Sequence, residues 1–411
     1  MLCLKRRRDW TALAAASLAA ATSGYAADAT GVLVYTAGPI RVRPHLAVSG
    51  RYDDNIFYRP NDPAPGSTQS VEGDFINVIS PGLNVQLGRK EHNYLLFDYT
   101  MDQFLYLDHD DQDSRDHSFS LNSKLEWKRV ELEGSDRVQF LSGILGGGSN
   151  LGQRVDRTTY YDNYTVRYGL TEKTGVYLEG LFDALDFEGG TPLYDSNTLI
   201  GTGGFLFQAT PKTSLFGELY YGQTATDPNV PFSAANPISV KSPHAEFFGG
   251  FVGVKGDFTS RLSGMVKGGY ESREFSDGTP APSSPVVEVS LDQKFSEKTS
   301  ATLTYSRRNS VSVQVIRQAY TADAVTAQLA QVLSSNGKLV GSLSGSFEND
   351  GYEDVGGFSR TDVAYRARAA LTYNVQLWLS ASLSYEFEGY RSNAVIDYDV
   401  NRVTLRVALG Y

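Results

Sequence analysis

Cysteine, long apolar runs and basic charge are all scarce in this chain, and each scarcity excludes a class of protein. The only cysteine, Cys3, lies ahead of the N-terminal apolar stretch, so it cannot be a lipoprotein acylation site, and the rest of the chain has no thiol with which to form disulfides. Outside that stretch no apolar run approaches the roughly 18 residues that a transmembrane helix requires. The 47 acidic residues outnumber the 37 Lys and Arg residues, which argues against a nucleic-acid partner.

The N-terminus has the three parts of a secretory signal peptide. Lys5 to Arg8 form a basic patch, Thr11 to Thr22 are rich in Ala and Leu, and Gly24 and Ala26 are the small residues that a signal peptidase reads. We therefore predict a signal peptide of residues 1–26, in preference to a disordered alanine-rich tail. Its removal changes the formal charge from −10 to −13, because it takes away four basic residues and Asp9.

Short polar turns recur along the rest of the chain at intervals of about 40 residues, the length of two strands, a tight turn and a long loop. A candidate strand with alternating apolar and polar residues lies on each side of every turn, most clearly in residues 299–308, 338–348, 361–373 and 377–388. The predicted turns are Gly88-Arg89-Lys90, Lys128-Arg129, Thr171-Glu172-Lys173, Pro211-Lys212, Thr259-Ser260-Arg261, Ser296-Glu297-Lys298, Ser335-Asn336-Gly337 and Asn374-Val375-Gln376.

The final residues of the chain resemble the last strand of a bacterial outer-membrane β-barrel. Apolar residues occupy every second position and end on an aromatic residue, and a period of two places them on one face of a strand. In such barrels the assembly machinery recognises this end, so we expect that machinery as a partner. The residues of this barrel-terminal signal are Val403, Leu405, Val407, Leu409 and Tyr411.

The connections at the other end of the hairpins are long and polar, as in outer-membrane barrels with short periplasmic turns and longer extracellular loops. With a first strand near Arg43–Tyr52 and a last near Val395–Tyr411, the sequence predicts an all-β protein: a closed antiparallel transmembrane β-barrel of about 18 strands. Residues 27–42 would form a short periplasmic segment and residues 43–411 the barrel. A soluble β-sandwich or β-helix explains the alternation but not the hairpin rhythm and loop asymmetry together. The predicted long loops are Asp53–Ser70, Asp108–Asp116, Gly146–Thr158, Thr224–Pro243 and Asp277–Ser284.

The polar face of each predicted strand should line the lumen, and several of its residues are charged. Stripes of opposite charge on neighbouring strands either tune what passes or brace a wet wall through cross-strand pairs, and the two roles are compatible. The candidate pore-lining residues are Glu179, Glu218, Lys267, Glu271, Arg308, Arg366, Arg368, Glu386, Glu388, Arg402 and Arg406. Inward-facing tyrosines for sugar stacking would be Tyr161, Tyr177 and Tyr220.

Chemical motifs are few. The acidic loop Asp108–Asp113 has carboxylates that suit Ca²⁺ but lacks the glycine and distal glutamate of an EF-hand, so a solvated loop is the simpler interpretation. The sequence has neither HExxH nor GxSxG, and His117-Ser118 at a predicted barrel rim is the one candidate for a hydrolase site. We predict no enzymatic activity, no cofactor, no metal site and no catalytic residue.

The first predicted strand carries a family resemblance. Val42-Arg43-Pro44-His45-Leu46 followed by Tyr52-Asp53-Asp54-Asn55-Ile56-Phe57 resembles the family called Putative beta-barrel porin 2, and Asn77–Leu87 and Asn93–Tyr99 continue the similarity. The resemblance implies an outer-membrane barrel associated with exopolysaccharide or capsule export, working with a periplasmic export partner. It supplies no catalytic residues. Tyr52–Phe57 would shape the mouth of the barrel or simply form a turn, which Asp-Asp-Asn favours locally.

We therefore expect an outer-membrane barrel of a Gram-negative bacterium that passes exopolysaccharide or capsular polysaccharide. The alternatives are a general diffusion or small-solute porin, and a structural barrel whose loops plug the lumen. Polymer export predicts a wide lumen with stacked aromatic residues or an open periplasmic mouth. A diffusion porin predicts a loop folded inward that narrows the pore.

Overall fold

The computed structural model describes residues 34–61, 70–89, 93–147, 152–188, 191–229, 244–279, 281–314, 318–353, 359–394 and 397–410. The predicted signal peptide and the terminal Tyr411 lie outside these residues. Within the described ranges no helix is both long enough and apolar enough to cross a bilayer. The described helix is a single 3₁₀ turn, Asp110–Gln112.

Eighteen antiparallel strands, β2 to β19, close into a barrel, and the short β1 pairs with the start of β2. Closure is made by β19 against β2, in a register that runs from Arg402 opposite Asp53 to Leu409 opposite Leu46. The predicted fold is thereby confirmed. The strands are β1 Tyr35–Ala37, β2 Ile40–Asp53, β3 Asp74–Gly88, β4 Tyr94–Tyr106, β5 Ser114–Trp127, β6 Val130–Ile144, β7 Arg154–Gly169, β8 Thr174–Phe187, β9 Tyr194–Gln208, β10 Thr213–Pro228, β11 Ala245–Asp257, β12 Leu262–Phe275, β13 Ser284–Lys294, β14 Thr299–Val311, β15 Ala319–Val332, β16 Leu339–Tyr352, β17 Thr361–Gln376, β18 Leu379–Ser392 and β19 Tyr398–Leu409.

Alternation gives the barrel an apolar outer wall and a polar inner wall. Leu343 in β16 is 58% exposed and Leu405 in β19 is 59% exposed, as expected of side chains that face lipid. In each strand, the residues that alternate with these outward-facing side chains point inward, because successive side chains of a strand lie on opposite faces. Each of the strands β2 to β19 has an antiparallel neighbour on both sides, which satisfies the backbone polar groups that hydrocarbon cannot.

Tight turns join the strands at one end of the barrel, the turn end, and longer connections join them at the other, the loop end. Gly88 opens one tight turn at φ +82°, and a Cβ there would lie 2.2 Å from the carbonyl oxygen of Asn93. Small clusters of buried apolar residues lie near the loop end, one of them formed by Ile56, Ile76 and Val78. These clusters therefore lie beside the mouth of the barrel.

Some predicted boundaries were wrong. The turn predicted at Asn374–Gln376 is strand, because β17 continues through a register shift and the chain reverses at residues 377–378. Asp116, Thr158 and Thr224 belong to strands and not to loops, since cross-strand pairing extends beyond the clear alternation. β2 begins at Ile40, inside the segment predicted to precede the barrel.

Candidate functional site

The segment Asp54–Arg59, which follows β2 and is called here the mouth segment, is held in one conformation by Asn55. The Asn55 side chain is fully buried; its Oδ1 accepts from the Arg59 backbone N–H at 2.8 Å, and its amide donates to the carbonyl oxygens of Arg59 at 2.8 Å and Asp399 at 3.0 Å. Tyr58 adopts φ +50°, a conformation that a bulky residue takes only when its surroundings impose it. The Asp-Asp-Asn sequence thus makes a turn, and contacts with residues beyond that turn fix its direction.

The mouth segment folds into the barrel. Ile56 packs on Ile76 and Val78, which lie on the inner face of β3, and Phe57 and Phe104 flank the same cluster. The Tyr58 ring meets Tyr398 of β19 edge-on, with 5.0 Å between ring centroids. These contacts reach strands on both sides of β2, so the segment occupies the lumen near the loop end.

Arg402 of β19 joins the mouth segment to three carboxylates. Its Nε donates to Asp53 at 2.7 Å, its Nη1 to Glu388 at 2.7 Å and Glu386 at 3.1 Å, and its Nη2 to the Tyr58 hydroxyl at 3.1 Å. The Arg402 side chain is only 11% exposed. A guanidinium satisfied on every side in this way is a fixed structural element.

The structure brings other predicted residues into the same network or a second one. Arg366 approaches Glu388 at 3.1 Å, so the basic, acidic and basic stripes of β17, β18 and β19 are in contact. On the opposite side of the barrel, Lys267 donates to Glu218 at 2.9 Å and approaches Glu288 at 3.0 Å. The first set braces neighbouring strands, whereas the contact between Lys267 of β12 and Glu218 of β10 spans β11.

The remaining predicted pore-lining residues have other partners. Glu271 accepts from the hydroxyl of Tyr220 at 3.0 Å and from Asn309 at 3.1 Å. Hydrogen bonds or ion pairs also link Glu179 to Asn163, Arg308 to Glu348 and Tyr177 to Glu218. Arg368 contacts the hydroxyl of Ser384 at 3.5 Å, and Arg406 lies on the same face of β19 as Arg402, with Thr404 between them.

Sequence reasoning missed Tyr58 and Tyr398 as parts of the site. Asp53 lies within the segment Tyr52–Phe57 that is predicted to shape the mouth, but also at the start of a predicted loop, and only its place at the end of an alternating strand indicates an inward direction. Tyr398 lies at the start of β19, is 1% exposed, and its hydroxyl accepts from the backbone N–H of Gly147. Because Gly147 follows β6, that contact ties together segments distant around the barrel wall.

His109 lies in the connection between β4 and β5, near the mouth, and holds that connection in place. Its Nδ1 lies 2.9 Å from Asp74 and its Nε2 lies 3.0 Å from Glu72, while Phe57 of the mouth segment packs edge-on against its ring. Two carboxylates suit a doubly protonated ring, because both nitrogens then donate. The hydrogen bond to Asp74 is the main cause that raises the pKa of His109, with Glu72 adding to it against burial.

We expect the pKa of His109 to lie above its ordinary value of 6.5 and to fall in Glu72→Gln, since one of the two acceptors loses its charge. A raised folded-state pKa means that this contact stabilises fully below pH 6.5 and is lost as the pH rises through the raised value. NMR titration of the labelled His109 ring in the micelle-bound barrel measures this pKa in the wild type and in the variant. Asp111→Asn, an exposed acid in the same connection, is the control, and titration of the wild-type ring at or below 6.5 would contradict the assignment.

Residues of the acidic connection and of the candidate hydrolase pair form structural hydrogen bonds instead. Asp113 accepts from the backbone N–H of Tyr106 at 2.7 Å. His117 and Ser118 are consecutive in β5 and point to opposite faces, and His117 is hydrogen-bonded to the Tyr99 hydroxyl at 3.0 Å. The suggested Ser/His pair is therefore not formed.

Solved structures with a similar chain course share little sequence with this chain. OpdK from Pseudomonas aeruginosa is 10% identical, with a TM-score of 0.45, over 90% of this chain and 99% of that one. OccAB4 from Acinetobacter baumannii is 10% identical (TM-score 0.45, 89% and 97% covered), and OpdL from Pseudomonas aeruginosa is 16% identical (TM-score 0.43, 90% and 98% covered). A comparison with curated proteins finds no match.

The family assignment rests on a match along nearly the whole chain. The closed barrel and the family both resemble channels that are not enzymes. The model of the family described as Putative beta-barrel porin 2 matches residues 27–411, so this protein belongs to that family of outer-membrane β-barrel porins.

Proposed function

We propose that this protein is a small-solute porin in the outer membrane of a Gram-negative bacterium. The observation that carries the proposal is the mouth segment, which lies inside the barrel and is anchored by Arg402, Tyr398 and the Asn55 hydrogen bonds. A segment fixed in that position narrows the path and selects solutes by size. The charged inner wall then acts on what enters.

Passage of exopolysaccharide is the less favoured function. Polymer export requires a wide lumen, whereas the mouth segment takes up space at the loop end. Buried ion pairs and an apolar cluster hold it there, so moving it aside requires breaking several contacts at once. Tyr177 and Tyr220, candidates for sugar stacking, have their hydroxyls engaged by Glu218 and Glu271.

Two partners follow from the same proposal. Outer-membrane lipid would contact the exposed apolar side chains of the outer wall, and the barrel-assembly machinery would recognise β19 through Val403, Leu405 and Val407. A cleaved signal peptide of residues 1–26 would direct the chain to export. No periplasmic polysaccharide-export partner is required for passive diffusion.

Reconstitution of the refolded barrel tests this function. We expect stable single-channel conductance in planar bilayers, and liposomes that swell in small neutral solutes such as glycerol but not in oligosaccharides of many units. Passage of long oligosaccharides, or conductance that long sugar chains block by threading, would favour polymer transport instead. Absence of conductance in correctly refolded protein would indicate a plugged structural barrel.

A further inference from the structure

A positively charged cavity lies directly beneath the mouth segment. It has a volume of 210 Å³, and its charged residues are Arg51 of β2, Arg368 of β17, Arg406 of β19 and Asp102 of β4. Three guanidinium groups and one carboxylate give the cavity a formal charge of about +2. That sign is opposite to the formal charge of −10 on the whole chain.

Arg51 and Arg368 differ from Arg402 in that they lack carboxylate partners within the part of the chain that the structure describes. Among the described residues no carboxylate lies within ion-pair distance of Arg51 or Arg368, whereas Arg402 contacts three. The Nε of Arg51 is buried without a hydrogen-bond partner in the described structure, and its guanidinium lies 5.7 Å from the centre of the Phe104 ring. Arg368 has one long contact, 3.5 Å, to Ser384. Both residues are half-buried and line the cavity, so the guanidinium N–H groups other than the buried Nε of Arg51 are available to a solute there.

The uncharged residues of the cavity indicate which chemical groups a ligand would carry besides its charge. Val78 and Phe104 form one apolar side next to the guanidinium groups. Hydroxyl groups line much of the rest, from Ser49, Ser80, Ser382, Ser384 and Thr404. The volume equals that of roughly seven water molecules at about 30 Å³ each. Guanidinium groups match the geometry of a carboxylate, and an apolar wall suits a hydrocarbon body.

We propose that this cavity is a binding subsite for a small organic carboxylate with an apolar body. The inference rests on the proposed porin function and adds its substrate class. A carboxylate that passes the mouth segment meets Arg51 and Arg368 on the inner wall, while its apolar part lies against Val78 and Phe104. Asp102 faces the same space and opposes the entry of multiply charged anions.

Block of the reconstituted open channel by benzoate, with neutral benzamide and inorganic phosphate as comparisons, tests the subsite. We expect benzoate to block at lower concentration than either, because benzamide lacks the charge and phosphate lacks the apolar body. Equal block by benzoate and benzamide would overturn the role of the arginines. Equal block by benzoate and phosphate would overturn the role of Val78 and Phe104.

Variants assign the effect to the cavity. The double variant Arg51→Gln/Arg368→Gln should weaken benzoate block by about tenfold or more, since hydrogen bonds to charged groups are among the strong ones. Asp102→Asn should strengthen it, a change in the opposite direction that general damage to the barrel does not mimic. Arg308→Gln removes a lumen arginine paired with Glu348 and should leave the block unchanged.

The failures of the two proposals are distinguishable. A channel that passes glycerol but shows the same benzoate block in the wild type and the double variant remains a porin and lacks this subsite. A channel that passes oligosaccharides contradicts the porin function itself. Retained conductance in each variant shows that the barrel has folded.

Discussion

Replacement of Arg402 by methionine is expected to lower the free energy of unfolding by about 3–5 kcal/mol, the cost of leaving buried charges without their partner. Asp53, Glu386 and Glu388 would lose their shared guanidinium, and of these three Asp53 is the most buried, with a side chain 7% exposed. Arg366 remains beside the two glutamates but contacts them from the far side. Equilibrium unfolding in urea, with the barrel in lipid vesicles, measures the change.

The matched control is Arg308→Met. Arg308 also pairs with one glutamate, Glu348 at 3.1 Å, but its side chain is 54% exposed. Exposed ion pairs contribute about 0–1 kcal/mol, so this variant should unfold almost like the wild type. Similar losses in the two methionine variants would show that the Arg402 network has no special structural role.

Replacement of Asn55 by alanine is expected to release the mouth segment. The change leaves the backbone N–H and C=O of Arg59 and the carbonyl of Asp399 without the amide that bonds them, at about 1–3 kcal/mol for each group that stays buried. A total near 3 kcal/mol would raise the ratio of released to anchored segment by roughly a hundredfold. Single-channel recordings should then show frequent transitions to a higher conductance.

Asn61→Ala is the control in the same connection. The Asn61 side chain is exposed and donates to the carboxylate of Asp399 at 2.7 Å, so its loss should cost little. Conductance of Asn55→Ala that is as steady and as small as that of the wild type would mean that the mouth segment does not narrow the pore. Higher noise in Asn61→Ala than in Asn55→Ala would assign the gating to the outer part of the connection.

The strand pattern and most turns could be predicted from sequence because their causes are local. A period of two fixes which residues share a face, and Arg366, Glu386 and Arg402 follow it on neighbouring strands. Turn residues such as Gly88 are equally local, since the left-handed backbone there favours glycine. The boundary at Gln376 was missed because a register shift, which pairing with β18 creates, carries no such signal.

The candidate site depended on contacts between residues far apart in the chain. Arg402 meets Asp53 only because β19 closes against β2, and Arg51 and Arg368 share a cavity for the same reason. Asn55 favours a turn in any context, but whether that turn points outward or into the lumen depends on Tyr398 and on the inner face of β3. Barrel closure fixes the distances between these residues, because it depends on the register of every strand between β2 and β19.

The sequence by itself determined a barrel of about 18 alternating strands and the faces of its clearest strands, because both follow from side-chain periodicity and turn chemistry within a few residues. Only the tertiary structure decided where the mouth segment lies, which charges neutralise one another and which arginines remain available to a solute. Those outcomes depend on pairing between β2 and β19, about 350 residues apart, and no local pattern encodes the geometry of that closure.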